Sequence, residues 1–479
     1  MSALAHTSAL SSNLEVSRII GGLWQVADQE RTGTTLDLST AAEQMNHYVQ
    51  NGITTFDMAD HYGSAELIAG SFNKGYSGAQ FLTKWVPEPG TASRDRVRSA
   101  IEQSLQRMHT DSLHLLQFHA WNYADPRWLD NLFWLQELQE EGLIRNLGVT
   151  NFDSAHLHMA LCSGIKIVSN QVSYSLIDQR AAQGLSQLCQ EFQVKLLAFG
   201  TLAGGFLSEK CLDQSEPSDL TTWSQMKYKR FIDTAGGWER FQKVLATLNT
   251  LALEKDCTIA NLATRYILED PAVAAVIIGI RLGERNHSEE NLKILNLELL
   301  PGERQRIRES IAQLDPIPGD CGDEYRKPPY LTASGDLSDH IASLPPPYAI
   351  EQKASGVKVF TGTVWEETAG FCRAHRQGNR ILISGTTATH GDRPIGGSDP
   401  MAQTHFVIDK IEGVLQSLGA SLEQVIRTRV YVSRMEDWQA VAKVHGQRFA
   451  HIQPANTLIR ADLIGDEYLV EIEAEAEII

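Results

Sequence analysis

What the 479-residue chain lacks narrows its function first. No apolar run approaches the roughly 18 residues that suggest a membrane span. The opening MSALAHTSALSSNLEVSR has no basic start followed by an apolar core, so the expectation is a cytoplasmic protein with no membrane contact. Basic residues are in the minority, 42 Lys and Arg against 59 Asp and Glu for a formal net charge of −17. No Lys/Arg stripe could neutralise a run of phosphates, so nucleic acid is not an expected partner. The six cysteines (Cys162, Cys189, Cys211, Cys257, Cys321, Cys372) form no C-x-x-C and lie far apart, which argues against a disulfide framework or a clustered zinc site. They read as reduced core residues. No metal is expected, since His6, His47, His61, His109 and His114 show no ligand spacing and read as surface or capping residues.

What is present suits a soluble globular chain of two or three domains, with 42% apolar and 21% charged residues. Between residues 50 and 300 a short apolar run, a polar or glycine-containing turn and an amphipathic helical stretch recur in that order. The runs are ITTFD, QFLTK, LHLLQFH, IRNLGVTN, IVSNQ, VKLLAFG and VAAVIIGIR; helices are predicted over 94–108 and 126–142. Strands alternating with helices over about 250 residues predict an α/β fold, a (β/α)8 TIM barrel, for residues 1–315. Residues 316–352 concentrate Pro, Gly and Ser, as an extended linker or a wrapping segment does. An α+β domain is predicted over 353–479. Its last strand alternates Glu471, Glu473, Glu475 and Glu477 with Ile472, Ala474, Ala476 and Ile478, giving one polar and one packed face.

The apolar runs share a feature: Asp57, Lys84, His119, Asn151, Gln171, Phe199-Gly200 and Arg281 stand at or just past the last apolar position of each. In a barrel the C-terminal strand ends meet at one mouth, so these residues converge there. Tyr62 follows Asp57 in TTFDMADHYGSAE, between strand and helix. The residue types fit carbonyl reduction. A carbonyl oxygen that gains negative charge needs a proton, and a tyrosine gives one more readily beside a cation. Lys84 supplies the cation, Asp57 holds it, and His119 donates a hydrogen bond to the carbonyl oxygen. Asn151 and Gln171 carry amides matched to a carboxamide, and Phe199 offers a flat face to an aromatic ring. A blander reading makes Asp57 and Lys84 a structural ion pair, His119 a core histidine, and Trp24, Trp85 and Trp121 packing rather than pocket walls.

FDMADHYG, FLTKW, LLQFHAW, GVTNF, NQVSYS and GIRLGERNHSEEN together resemble the aldo-keto reductase family over about residues 16 to 314. The resemblance implies a TIM barrel that binds NADP(H), rather than NAD(H), along its strand C-termini. It implies Asp57, Tyr62, Lys84 and His119 as the catalytic set, with Tyr62 the general acid. It further implies Asn151 and Gln171 on the nicotinamide carboxamide, Phe199 on its ring, and Gly200, Leu202 and Gly279 along the cofactor. Arg281 or Arg285 would meet the 2′-phosphate, and Glu290 and Asn291 the adenine end. Where the family carries Tyr-Ser-Pro-Leu this chain has FGTL, so backbone amides must replace a serine contact.

RILISG, VIRTRVYVSRMEDW and YLVEIEAEAEI resemble the YjgF-type reactive-intermediate deaminases. That family is trimeric, so the resemblance implies a homotrimer formed through the C-terminal domain. Its substrate-clamping Pro-Ala-Arg is Pro-Ala-Asn here; Asn456 cannot make the charged fork, while Glu471 either keeps the carboxylate the family uses to activate water or, on the blander reading, only begins a solvated acidic face. The expected activity is NADPH-dependent reduction of small aldehydes or ketones, fused to a ligand-binding or oligomerising module. Two alternatives are a nicotinamide-state sensor and a bifunctional imine deaminase and carbonyl reductase.

Overall fold

A hairpin of β1 (Thr7–Ser11) and β2 (Leu14–Ser17) opens the computed structural model, which describes residues 4–31, 33–284, 286–333 and 344–478. Its Leu10, Leu14 and Val16 are buried with Ile20, Leu82, Leu115, Leu197 and Ala275, which line the inside of a closed parallel barrel. The barrel strands are β3 (Ile19–Gly22), β4 (Thr55–Asp57), β5 (Gln80–Trp85), β6 (Leu115–Phe118), β7 (Leu147–Thr150), β8 (Ser169–Ser173), β9 (Lys195–Phe199) and β10 (Val273–Gly279). The hairpin plugs the N-terminal end: Arg18, just beyond it, bonds the carbonyls of Val273 and Ala274 where β10 begins. Only the opposite mouth is left for chemistry.

Seven of these strands coincide with the seven apolar runs, and the eighth, β3, does not. Its sequence IIGG is half glycine because its neighbours crowd it. A Cβ on Gly21 would meet Phe56 at 2.9 Å, and one on Gly22 would meet Ile277 at 2.8 Å. The close approach that requires glycine also removes the apolar signal. The predicted helices are present as Arg94–Met108, capped by Ser93, and Arg127–Glu140.

The second domain is a seven-stranded sheet of β11 (Ala349–Lys353), β12 (Gly356–Phe360), β13 (Ala374–Gln377), β14 (Arg380–Thr387), β17 (Val425–Val432), β18 (Ala455–Arg460) and β19 (Val470–Glu477). A short hairpin of β15 (Thr389–His390) and β16 (Arg393–Pro394) stands apart. The sheet order is β11-β12-β13-β14-β19-β17-β18. Along β19 the alternation is realised: Val470, Ile472, Ala474 and Ala476 are buried and the intervening glutamates are not. The first three strands lie outside the pattern read from the sequence.

The helix Pro400–Ser417 is buried nearly throughout because it is packed on both sides, by the sheet and by the barrel helix Ser154–Cys162. At this contact the buried His156 bridges two carboxylates, Asp153 at 2.7 Å on Nδ1 and Asp409 at 2.9 Å on Nε2, and stacks on Tyr123 with ring centroids 3.5 Å apart. Arg448 then bonds Asp409 at 2.5 Å. Burial alone would lower the His156 pKa, but the carboxylates outweigh it and raise it to about 9. The domains are bolted through a charged imidazolium.

The Pro/Gly-rich stretch is a wrapping segment over its described first part. Residues 316–333 return across the barrel mouth, where Arg180 pairs with Glu324 at 2.8 Å. Arg326 bonds the carbonyls of Ala120 and Asn151 and lies 4.3 Å over the Tyr123 ring. Residues 334–343 of the stretch lie outside the described residues.

Candidate active site

A cavity of about 380 Å³ opens at the C-terminal mouth of the barrel, and its lining includes Asp57, Tyr62, Lys84, His119, Asn151, Gln171 and Phe199. Residues up to 142 positions apart in sequence meet because each sits at the end of a different strand, or just beyond it. Asp57 is the last residue of β4, Lys84 lies near the end of β5, and His119 follows β6.

The ion pair at the floor is buried. Lys84 Nζ lies 2.5 Å from Asp57 Oδ2, donates to the Met58 carbonyl at 2.9 Å, and sits 5.0 Å from the centre of the Tyr62 ring. Asp57 Oδ1 in turn accepts from Gln117 at 3.0 Å and Gln171 at 2.7 Å. Desolvation lowers the Lys84 pKa, against the opposing pull of Asp57. His119 is pushed well below its ordinary value, by burial first and then by the Arg326 cation, so its imidazole is neutral at pH 7. Neither His119 ring nitrogen has a hydrogen-bond partner among the described residues. A buried polar group without a partner is costly, and a ligand oxygen beside it removes that cost.

The same holds where a cofactor would lie. Asn151, in a left-handed conformation with φ 58°, has a buried Oδ1 without a partner among the described residues, as a carboxamide acceptor needs. Phe199 lines the wall. Gly200 has φ 84°, and a Cβ there would strike the Tyr228 hydroxyl at 2.5 Å, so this turn keeps its backbone bare. Leu202 and Gly279 line the cavity as expected. The Asn151 acceptor, the bare backbone at Gly200 and the flat wall fit a nicotinamide.

Other expected residues are placed differently. Gln171 spends its amide N–H on Asp57 and Gln117, which makes it a support for the ion pair. Arg281 lines the cavity, yet its guanidinium already bonds Asp28 at 2.7 Å and Glu284 at 2.8 Å. Arg285 lies outside the described residues. Glu290 and Asn291, on the helix Ser288–Asn296, do not line the cavity; Glu290 pairs with Lys293 at 2.7 Å. Trp24 and Trp121 do line it. Trp85 does not: Lys84 points inward, so its neighbour on β5 points outward and packs on Phe118 with centroids 5.7 Å apart.

The structure adds residues with no sequence signal. Gln117 completes the Asp57 shell. Tyr325, from the wrapping segment, lies 5.5 Å from the His119 ring. Lys227, buried, donates to the Tyr325 hydroxyl at 2.7 Å and faces the Phe199 ring at 5.1 Å. The segment between β9 and β10 contains the helix Trp223–Thr234, started by a capping box of Thr222 and Gln225. Its 224, 225, 227 and 228 positions face the cavity.

In the second domain the two candidates do not meet. Asn456 is exposed on the edge strand β18 and donates to Thr428 at 2.9 Å. Glu471 stands in register with Tyr431, three positions along β17 from Thr428 and on the opposite face. Glu471 crowds Gly385, where a Cβ would meet its carboxylate, and burial followed by the neighbouring Glu473 raises its pKa.

Residues 18–312 match the family model described as the aldo/keto reductase family, and residues 364–478 match the model described as endoribonuclease L-PSP. The chain is 26% identical over 331 residues to the tas protein of Escherichia coli, covering 60% of this chain and 92% of the other. A glycerol dehydrogenase structure from Gluconobacter oxydans shares the barrel fold at 20% identity and a TM-score of 0.55, over 66% of this chain and 98% of its own. A YjgF/YER057c/UK114 family member of Mycobacterium tuberculosis is 37% identical over 25% of this chain and 98% of its own, with a TM-score of 0.23. Among the described residues no helix is long and apolar enough to cross a membrane.

Proposed function

The chain belongs to the aldo/keto reductase family of oxidoreductases, whose members use NAD(P)H, with a YjgF-like α+β domain after the barrel, and from that premise we propose that it reduces small aldehydes or ketones to alcohols with Tyr62 as proton donor. The observation that carries the reading is the buried Lys84–Asp57 pair beneath the Tyr62 ring, beside a neutral His119 with two unpartnered nitrogens. A reduced nicotinamide, when bound, supplies the hydride. Tyr62 gives its proton to the substrate oxygen, and the Lys84 ammonium stabilises the phenolate left behind. Asp57, steadied by Gln117 and Gln171, keeps that ammonium charged where burial disfavours it. His119 donates one hydrogen bond to the same oxygen and fixes which face of the carbonyl is presented. Asn151 meets the carboxamide and Phe199 the ring.

NADP(H) rather than NAD(H) is proposed, with Arg281 as the 2′-phosphate ligand, its guanidinium shared with Asp28 and Glu284. Consumption of NADPH with a panel of aromatic aldehydes, short aliphatic aldehydes and 2-keto acids tests the activity, with NADH as the alternative donor. Tight NADPH binding without turnover of anything in the panel would favour the sensor reading. For the second domain we propose a homotrimer through the glutamate face of the sheet, where Leu382 and Ile459 are about half exposed at 47% and 48%. Mass in solution tests that, and a monomer would end it. Within one chain Asn456 and Glu471 lie apart on opposite faces, so imine hydrolysis would need two subunits to bring them together.

A further inference from the structure

The helix Ser154–Cys162 carries two side chains with metal-ligating chemistry one turn apart, His158 and Cys162. Positions i and i+4 share a helix face, and this face is turned to the second domain. There it meets Asp399, the residue before the helix Pro400–Ser417. The imidazole nitrogen, the thiol sulfur and a carboxylate oxygen all lie within 4.8 Å of one another, and among the described residues no other such group of three exists. His158 Nε2 stands 3.7 Å from Asp399 Oδ2.

We propose that His158, Cys162 and Asp399 bind one zinc-class divalent cation that joins the barrel to the second domain. The spacing suits a single ion. Zinc bonds of about 2.0–2.3 Å place neighbouring ligands of a tetrahedron about 3.3–3.8 Å apart, so a small inward rotamer shift closes the set. A thiolate, an imidazole and a carboxylate together select zinc over magnesium or calcium, which take oxygen ligands. Three protein ligands leave the fourth position for water or an outside group. His158 and Asp399 both face a cavity of about 720 Å³ between the domains, so an ion has a path in.

The ligands are also held from behind. Asp399 divides its carboxylate: Oδ1 accepts from the Ala402 amide at 2.7 Å, capping its helix, while Oδ2 faces His158. The His158 ring is set edge-on to Phe192, with centroids 5.4 Å apart. Next to Cys162, Ser163 Oγ accepts from the Gly396 amide at 2.9 Å and fixes the two segments together. Binding expels the Cys162 proton to solvent as the sulfur–metal bond forms, so affinity rises with pH.

The test uses the full chain, stripped with a chelator and titrated with Co²⁺ and then Zn²⁺. The expected result is one ion per chain, a sulfur-to-cobalt charge-transfer band in the near ultraviolet, and a higher melting temperature with Zn²⁺. C162S removes the band, and H158N weakens binding by at least about tenfold. D399N keeps a good helix cap, because Asn caps as well as Asp, yet loses the zinc-dependent rise in melting temperature. Absence of a charge-transfer band at saturating Co²⁺ overturns the proposal, as does equal affinity in wild type, H158N and D399N.

Discussion

The barrel mouth and the open face of the C-terminal sheet both carry carboxylates beside basic groups, and they use them oppositely. At the mouth, Asp57 is buried and holds three donors, Lys84, Gln117 and Gln171, drawn from three further strands. On the sheet, Glu473 and Glu475 pair with Arg429 and Arg380 across neighbouring strands, partly exposed, in a ladder that repeats along β19. The first arrangement leaves unpartnered groups, His119 and the Asn151 amide oxygen, aimed at an enclosed space. The second pairs Glu473 and Glu475 with arginines along an open face and encloses no space. Convergence with groups left over marks a site, and pairwise satisfaction marks a surface.

The largest expected effect tests that contrast directly. Tyr62→Phe removes a proton donor without changing packing, so kcat/KM for NADPH-dependent reduction falls about 10²–10⁴-fold. Cofactor affinity measured by fluorescence stays as in wild type, because only a transition-state contact is lost. Activity above a tenth of wild type would remove Tyr62 from its proposed role.

The next concerns the bolt between the regions. His156→Ala leaves Asp153 and Asp409 buried and facing each other, at a cost of about 3–5 kcal/mol in thermal or urea unfolding. In wild type the same residue gives a pH signature. Its folded pKa, raised to about 9, lies above the ordinary 6.5, so its stabilisation is complete below about pH 6.5 and drains away as pH rises through 9. Asp409, lowered to about 2 chiefly by Arg448 and His156 against the opposing effect of burial, contributes above pH 4 and is lost as pH falls through its folded value. The His156 and Asp409 contributions are therefore both complete between about pH 4 and 6.5 and fall away on either side, and His156→Ala should flatten the alkaline limb. An unchanged alkaline limb would mean that His156 is neutral in the fold.

A smaller effect is expected from Tyr325→Phe. The hydroxyl loses its bond with Lys227 while the ring against His119 remains. Loss of one hydrogen bond to a charged group costs about 1.5–3 kcal/mol; read as kcat/KM, that is a fall of roughly 10- to 150-fold. No change would mean that the Tyr325 hydroxyl takes no part in the reaction, although the residue lines the cavity.

How much of this was legible in the sequence follows the same division. Residues at the ends of apolar runs, from Asp57 to Phe199, were readable because strand ends in a barrel share a mouth, and the run marks the strand. β3 escaped because crowding by Phe56 and Ile277 replaced its apolar residues with glycine. Lys227 and Tyr325 escaped because one sits inside a helix where an amphipathic pattern hides it, and the other arrives from a segment that reads as linker. Trp85 was misread although period-2 alternation next to Lys84 already pointed it outward. The His156 bridge pairs residues 253 apart, a contact that no local pattern encodes.

The smallest effect is the sharpest test of the sheet. Burial and Glu473 raise the Glu471 pKa above its ordinary 4.5, so the folded chain binds this proton more tightly than the unfolded one. The charge therefore works against the fold, and wild-type stability declines slightly as pH rises from 4.5 through the folded value. Glu471→Gln removes that charge in a side chain of the same shape. The mutant should be as stable as wild type at neutral pH or slightly more so, with a flatter profile above pH 4.5 and NADPH consumption unchanged. Should Glu471→Gln instead slow reduction, or abolish a measurable release of ammonia from 2-imino acids, the glutamate face would be a working site and the contrast between the two regions would fail. A subunit that brings Asn456 of one chain to Glu471 of another is the arrangement that could produce such a result, so the measurement belongs on the oligomer whose mass has been determined.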